Sequence, residues 1–467
     1  MKRITKADSL IQKLEEGGYE AFYVGGCVRD LLRNASGAEA GAAGDIDVTT
    51  SATPEEMKDV FQDFRLIETG IRHGTVTVLE DDGEPVEITT YRTDGKYSDH
   101  RHPDSVAFVR DLEEDLRRRD FTINAIALDR AGRLRDPFGG EADIRERVIR
   151  AVGDPDRRFK EDALRIMRAM RFAAALGTGG DDAFLIEPET EKAMRRNREL
   201  LKNVSVERIF TEFRKLVMGV NAGIVIRRYI DVLGVVFPEL LPMKGFDQRN
   251  PYHRYDVLEH CVRTMEAVQP RIEYMKMAAL FHDIGKPDTF FISDDGIGHM
   301  YGHPARGGEI VRGIMKRMKA DRVTSDRVVT LVRYHDLVFQ EDDRLLKKWL
   351  NKYGGELLIE ILQIKRADNI ATGNMSRELE KKFDRVEERI RSLLAANACF
   401  SIKDLAIDGR DVMQTGQQLA YAQKEGPWIG QILDQVLDEV IDGSLSNERE
   451  ALMERIETII YRLSGAR

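Results

Sequence analysis

Cysteine is scarce in this chain: Cys27, Cys261 and Cys399 are its three among 467 residues. They are odd in number, far apart and never spaced as C-x-x-C. That excludes a disulfide framework and a cysteine-ligated zinc site, and it fits a reducing cytoplasm. Long apolar runs are missing too, since none reaches the about 20 residues that a membrane-crossing helix needs. Met1 to Gly18 reads as an amphipathic helix carrying Ile4, Leu10, Ile11 and Leu14, without the apolar core of a signal peptide. Nor is there an excess of positive charge. The balance of 72 Lys and Arg against 81 Asp and Glu leaves −9, which argues against a generally basic nucleic-acid binder. The deficit is uneven, however. Arg145 to Arg171 holds nine basic and five acidic residues, and Lys192 to Lys215 holds eight and three, so a basic surface fits inside an acidic protein. Internal repeats, low-complexity tracts and sustained heptads are also lacking.

What is present is enough for several domains, because single cores seldom grow past about 250–300 residues. Apolar content of 42% with 33% charged residues describes a globular protein. Tyr23-Val24-Gly25-Gly26-Cys27-Val28-Arg29-Asp30 carries an apolar strand into two glycines and then a helix start. Glycines at such a corner let backbone amides approach a phosphate chain, and the helix N-terminus behind them favours anions. Gly44-Asp45-Ile46-Asp47-Val48 follows. On a strand, alternation puts Asp45 and Asp47 on one face, where two carboxylates repel unless a hard cation such as Mg²⁺ lies between them. Glu87, between Val86 and Ile88, is a third candidate ligand or else a solvated strand residue.

Strands are expected at Ala21–Val24, Ile46–Thr49, Thr75–Leu79, Val86–Tyr91 and Ile123–Leu128. A helix is expected from Pro54, with Thr53 as N-cap and Glu56 closing a capping box. Gly95 and the polar Lys96 to Pro103 read as a mobile loop. The strand pattern stops after Asp136-Pro137-Phe138-Gly139-Gly140, and from Phe159 the pattern is helical. Boundaries are expected near 150, near Asn250-Pro251 and between 375 and 400. Domains at 1–150, 151–250, 251–380 and 381–467 follow.

Two further stretches carry chemistry. One is Glu113-Glu114-Asp115-Leu116-Arg117-Arg118-Arg119-Asp120-Phe121-Thr122-Ile123-Asn124-Ala125, and the other is Arg158-Phe159-Lys160-Glu161-Asp162-Ala163-Leu164-Arg165, continuing through Arg168 to Arg171-Phe172. Asp162 and Arg165, three apart, are expected as neighbours on one helix face. A carboxylate only accepts and a guanidinium only donates. Cytosine and adenine each offer an amino donor beside a ring-nitrogen acceptor, so such a pair admits both and rejects uracil and guanine without a template.

With the opening glycines and carboxylates, these stretches resemble the class II tRNA nucleotidyltransferases, that is, the bacterial CCA-adding enzymes and their poly(A) polymerase relatives. The resemblance covers residues 20–245. It implies an α+β fold with a polymerase-β-like nucleotidyltransferase head, followed by all-α neck, body and tail domains along which tRNA lies. It implies addition of CCA to the tRNA 3′ end from CTP and ATP, with Mg²⁺ at Asp45 and Asp47. Gly26 and Arg29 would sit at the triphosphate, and Arg119, Asp162, Arg165, Arg168 and Arg171 at the nucleotide. The loop from Asp94 to Pro103 would serve the change from C to A. CC-only or A-only addition and poly(A) synthesis are alternatives of the same class.

Six of the nine histidines lie between Tyr252 and Asp336. Leu280-Phe281-His282-Asp283-Ile284-Gly285-Lys286 resembles the signature of the HD phosphohydrolases. His260, His282, Asp283, His303, His335 and Asp368 follow that superfamily's order and would hold one or two divalent metals able to activate water against a phosphate ester. His253 and His299 fall outside the pattern. An HD phosphohydrolase with an RNA-binding head is the rival from another class, as is a non-catalytic tRNA-binding protein. The tail, with Gly426-Pro427-Trp428-Ile429-Gly430, would fit contact with the tRNA elbow or simply pack.

Overall fold

Alternating side chains on Ala21–Val24 set the centre of the first sheet. In the computed structural model, which describes residues 4–35, 46–68, 70–79, 85–95, 106–249, 254–373, 375–396, 398–422 and 424–464, Phe22 and Val24 join a buried cluster with Tyr91, Leu116, Ala125, Ala127 and Val152. Tyr23 turns the other way, as a period of two requires, and its hydroxyl donates to Asp8 at 2.8 Å. Two units divide the chain, Met1–Lys244 with Arg312–Ser325 and Gly245–Val311 with Asp326–Arg467.

In the first unit, helix α1 (Asp8–Glu16) buries Leu10, Ile11 and Leu14. Strand β1 (Ala21–Val24), helix α2 (Gly26–Ala35), β2 (Asp47–Thr50), α3 (Pro54–Val60), β3 (Arg65–Ile67), β4 (Thr75–Leu79) and β5 (Pro85–Thr90) follow. After them come β6 (Arg92–Asp94), β7 (Val106–Phe108), α4 (Leu112–Arg117), β8 (Ala127–Leu128), β9 (Leu134–Arg135) and α5 (Gly140–Glu146). Seven strands form one sheet in the order β3-β4-β5-β2-β1-β8-β9. Its pairs are antiparallel except β2 with β5, which run parallel with Asp47 opposite Glu87. The capping box is present: Thr53 accepts from the Glu56 amide, and Glu56 accepts from the Thr53 amide at 2.7 Å.

The segment Ile123–Leu128 is not the continuous strand expected. Thr122–Asn124 forms a 3₁₀ turn and only Ala127–Leu128 pairs. The whole segment is buried, so no alternation exists to reveal its period. The Thr122 hydroxyl donates to Asp143 at 2.5 Å and the Asn124 amide to Asp120 at 3.0 Å, and these bonds hold the turn.

The chain then becomes helical: β10 (Val148–Ile149), α6 (Pro155–Glu161), α7 (Leu164–Ala175), β11 (Leu185–Ile186), α8 (Pro188–Asn197), α9 (Val206–Val217) and α10 (Ala222–Leu233). Phe159, Ile166, Met167, Met170 and Phe213 are fully buried there. The second unit holds α11 (Val257–Ala267), α12 (Glu273–Phe281), α13 (Lys286–Thr289), a hairpin of β12 (Phe291–Ile292) with β13 (Gly298–His299), α14 (starting at His303), α15 (ending at Tyr334), α16 (Asp343–Tyr353) and α17 (Gly355–Thr372). It ends with α18 (Arg377–Ala395), α19 (Gly409–Gln418), α20 (Pro427–Ile441) and α21 (Arg449–Leu463). Leu405, Val412, Val436, Leu452 and Ile456 build a separate apolar cluster among the last three helices, and Trp428 packs on it. Among the described residues, no helix is long and apolar enough to cross a membrane.

Candidate active site and metal centre

The first site forms where β1 hands over to α2. Gly25 has φ +73°, a conformation glycine adopts without strain. A Cβ there would lie 3.3 Å from Asp47 Oδ2 and 3.4 Å from Arg119 Nη1, so a larger residue would crowd both groups. Gly26 begins α2, which points its N-terminal amides into the corner. Asp47 opens β2, and the parallel register sets Glu87 beside it on the same sheet face. Asp45 and the loop from Lys96 to Pro103 lie outside the described residues.

A cleft of about 690 Å³ opens from this corner, lined by Gly25, Gly26, Arg29, Asp47, Arg119 and Asp120 and, from the helices, by Asp162, Arg165, Arg168, Arg171 and Arg208. All the arginines expected from the sequence therefore face one space. Phe172 is their common floor. The guanidinium carbons of Arg171, Arg29 and Arg168 stand 3.9, 5.2 and 5.4 Å from its ring centroid, within cation–π range.

Three acids missed by sequence reasoning hold this comb in place. Asp120, buried, accepts from Arg168 Nε at 2.7 Å, from Asn124 Nδ2 at 3.0 Å and from the Phe121 amide at 2.8 Å. Asn124 Oδ1 in turn accepts from Arg29 Nη1 at 2.8 Å. Burial pushes the Asp120 carboxyl upward, but the Arg168 charge and its hydrogen bonds override it, so Asp120 is held below the usual carboxylate range. Asp120 likewise raises the Arg168 guanidinium above its ordinary value. Glu212 of α9 sits 2.9 Å from Arg171 Nε and 3.7 Å from Arg168 Nη1. Asp115, fully buried, pairs with Arg118 at 2.9 Å and Arg119 at 3.4 Å. These two charges outweigh its desolvation and lower its carboxyl. Asp120 and Asn124, four apart inside the quoted stretch, carried the only local signal. Glu212 gave none.

Asp162 and Arg165 are not the helix-face pair expected. Asp162 has φ −137° and ψ 103°, which ends α6. Its Oδ1 accepts from the Leu164 amide at 3.0 Å, and its Oδ2 from Arg208 Nη2 at 2.9 Å. Local capping by an Asp side chain competes with helix continuation, and here it wins. Arg165 donates to the carbonyls of Arg158 and Arg118 and to Glu161. The two face the same cleft from either side of a helix break.

The second site lies in the other unit. The α11 residue His260 and His282, at the end of α12, bring their Nε2 atoms within 3.1 Å. His260 Nε2 is 3.5 Å from Asp283 Oδ2 and 3.0 Å from Asp368 Oδ1, and His282 Nε2 is 3.3 Å from Asp283 Oδ2. The other oxygen of Asp283 lies 3.2 Å from His303 Nε2 and 3.6 Å from His335 Nε2. Five of these residues thus form two groups of three that share Asp283, each close enough to hold a metal ion, with Asp368 beside His260 at the edge of the first. The Nδ1 atoms of His282, His303 and His335 lie 2.8, 2.8 and 2.7 Å from the carbonyls of Ala279, Met300 and Val332. Donation from Nδ1 leaves each Nε2 as the inward lone pair, the tautomer a metal ligand requires. Imidazole nitrogen and carboxylate oxygen together suit a divalent transition ion. Lys286 reaches Asp283 at 2.6 Å, and Lys365 bridges Asp336 at 2.7 Å and Asp368 at 3.3 Å. Gly285 has no room for a side chain, because a Cβ would stand 2.3 Å from the His303 carbonyl.

A mixed sheet with a Gly-Gly corner, followed by helices that close an arginine cleft, defines a nucleotidyltransferase with a polymerase-β-like head, a fold whose chemistry depends on divalent metal. The comparisons agree. Residues 21–150 match the family described as Poly A polymerase head domain, 183–243 that described as Probable RNA and SrmB- binding site of polymerase A, and 307–456 that described as tRNA nucleotidyltransferase domain 2 putative. A CCA-adding enzyme of Streptococcus pneumoniae is 34% identical over 96% of this chain and 95% of its own length. One of Lactobacillus helveticus is 50% identical over 48% of this chain and 53% of its own length, so that match spans about half of either protein. The crystal structure of the Bacillus stearothermophilus CCA-adding enzyme in complex with CTP superposes with a TM-score of 0.73 at 30% identity, covering 100% of both chains. The chain belongs to the CCA-adding enzyme family.

Proposed function

We propose that this chain adds the CCA sequence to the 3′ end of tRNA from CTP and ATP, without a nucleic-acid template. The observation that carries the reading is the single cleft in which Asp47, the Gly25–Gly26 corner and the arginine comb converge. Arg29, Arg168 and Arg171 bring guanidinium charge to phosphate oxygens through the donors that Asp30, Asn124, Asp120 and Glu212 leave over, and the α2 N-terminus adds its amides. Asp47 and Glu87 are register partners on the carboxylate face, and Asp45, two positions before Asp47 in the sequence, is proposed to share their cation. They would hold Mg²⁺, which when bound would supply activation of the RNA terminal hydroxyl and charge for the leaving pyrophosphate. Asp162 accepts from a base amino group. Three of the five Arg165 donors are committed to protein oxygens, and the remainder face a ring nitrogen. The chain would work in the cytoplasm.

The test offers tRNA ending at the discriminator base, tRNA-C and tRNA-CC, with CTP and ATP singly and together, products being resolved to one nucleotide. Full CCA from both nucleotides supports the reading. Products stopping at CC, extension of tRNA-CC only, or a long A tract assign the partial or poly(A) alternatives instead.

A second activity is favoured by the two ligand groups sharing Asp283. In this reading the domain is an HD phosphohydrolase. His260, His282, Asp283, His303, His335 and Asp368 would hold divalent metal, which when bound would supply an activated water against a phosphate ester. Loss of 2′,3′-cyclic nucleotide hydrolysis in His282→Ala, with nucleotide addition retained, is the expected result. Absence of hydrolysis and of co-purifying metal in the wild type refutes it.

A further inference from the structure

Helix α9 contributes two residues to the lining of the arginine cleft, Arg208 and Lys215. Glu212 lies between them, and spacings of four and three put all three on one helix face. Arg208 pairs with Asp162 at 2.9 Å, and one turn further on Glu212 pairs with Arg171 at 2.9 Å. The pairings climb α9 in the order in which their partners follow one another along the chain. Arg171 in turn shares the Phe172 ring with Arg29, three residues into α2 from the Gly26 corner. The α9 face therefore runs from the proposed base reader toward the phosphate corner. Lys215, about 10 Å along the helix from Arg208, stands at the phosphate end.

Lys215 differs from the other cations of the cleft. Every arginine in the lining stands 3.4 Å or less from a carboxylate, that of Asp30, Asp115, Asp120, Glu161, Asp162 or Glu212. Lys215 is exposed and has no acid partner among the described residues. Paired guanidiniums supply direction, but their charge is already largely answered. A triphosphate brings several negative charges whose outermost oxygens turn freely, and a compact ammonium on a flexible stem follows them better than a fixed fork. We propose that Lys215 binds the β- and γ-phosphates of the incoming nucleotide and the pyrophosphate that leaves. The proposal deepens the nucleotidyl-transfer reading and rests on it. In transfer, the RNA 3′ oxygen bonds the α-phosphorus as the α–β bridging bond breaks. The hydroxyl proton passes to solvent, and the bridging electron pair departs with pyrophosphate, whose charge Lys215 meets without giving up a proton. CTP and ATP share this end, so the contact is blind to the base.

The test is calorimetry of CTP, ATP, CMP and AMP on the full chain with Mg²⁺ and no RNA, with thermal melts to verify folding. Lys215→Met is expected to weaken CTP and ATP about tenfold, the value of one charge-assisted contact, and to leave both monophosphates unchanged. Lys215→Arg, which keeps the charge, should recover most of the loss. In the addition assay, KM for both triphosphates and inhibition by pyrophosphate should weaken by the same factor, with KM for tRNA unmoved. Equal losses for triphosphate and monophosphate overturn the assignment, as does a loss confined to tRNA, which would place Lys215 on the primer backbone instead. A wild type that binds triphosphates but adds neither C nor A sinks the transfer reading alone, and the binding ratio still decides the role of Lys215. A wild type that binds CTP no better than CMP overturns both.

Discussion

Replacing Asp120 with asparagine changes one oxygen for one amide nitrogen and leaves volume almost untouched, so its effect isolates charge and hydrogen-bond direction. The carboxylate accepts from Phe121 N and Asn124 Nδ2 with one oxygen and from Arg168 Nε and Nη2 with the other, at 2.6 to 3.0 Å. An asparagine keeps only one set. With its oxygen toward Asn124, its own N–H groups face the Arg168 fork, and two charge-assisted bonds are lost at about 1.5 kcal/mol each. With the amide flipped, Asn124 is released and Arg29 loses its orientation. Either way about 3 kcal/mol of preorganisation goes, roughly 150-fold in kcat/KM. Asp120 holds Arg168 directly and Arg29 through Asn124, so C addition to tRNA ending at the discriminator and A addition to tRNA-CC should fall together. In an Arg168→Met background the same change should cost less than about 1 kcal/mol, because residues in contact couple. Single-turnover addition, with thermal melts to verify folding, measures all four proteins. Asp120→Asn activity within threefold of wild type, or additive losses in the double variant, would refute the argument.

Asp47→Ala should abolish C and A addition equally, and Glu87→Gln should lower both at least tenfold if Glu87 shares the cation its register partner holds; retained A addition in either would break the single-site account. Gly285→Ala places a Cβ 2.3 Å from the His303 carbonyl and 2.6 Å from the Gly307 amide, so hydrolysis should be lost and the melting temperature should drop, by about 1–3 kcal/mol of overpacking, while nucleotide addition persists. Lys276 is buried, donates to the Met265 and Glu266 carbonyls, and is lowered by desolvation to about 8. Its folded value lies below the unfolded one, so the unfolded chain binds more protons between pH 8 and about 10.5 and wild-type stability gains there. The melting temperature of wild type should therefore rise relative to Lys276→Met as pH climbs from 7 to 10, and a flat difference would refute the assignment.

Local order was legible where one neighbour decides it. The Thr53–Glu56 box and the Thr75–Leu79 alternation are set by residues within a few positions, and the structure keeps both. The gathering of the histidines was readable from their order as well, since His260 and His282, and His303 and His335, meet at Asp283 in two clusters. The Ile123–Leu128 segment failed, since burial on all sides erases the period that separates strand from turn. Asp162 misled for a different reason. A charged i,i+3 pair looks alike on an intact helix and across a break, and the deciding bond, from the Leu164 amide to the Asp162 side chain, competes with the ladder at one residue only. Glu212 stands 41 positions beyond Arg171, and only packing of α9 on α7 brings it there.

The joint at Asp162 separates two tasks that a continuous helix would lock together. Three of the arginines that face the cleft, Arg165, Arg168 and Arg171, ride on α7, a twelve-residue rod whose positions move only as a body. The carboxylate rides on a residue whose backbone lies outside the helical well and whose side chain accepts from the Leu164 amide two positions on. A small turn about that residue's ψ re-aims the carboxylate without shearing the rod. On the proposed reading, the Asp162 half of base recognition is thereby set apart from Arg165 and the phosphate-gripping arginines on the rod, and a wider purine would be met by one pivot instead of by a sliding helix.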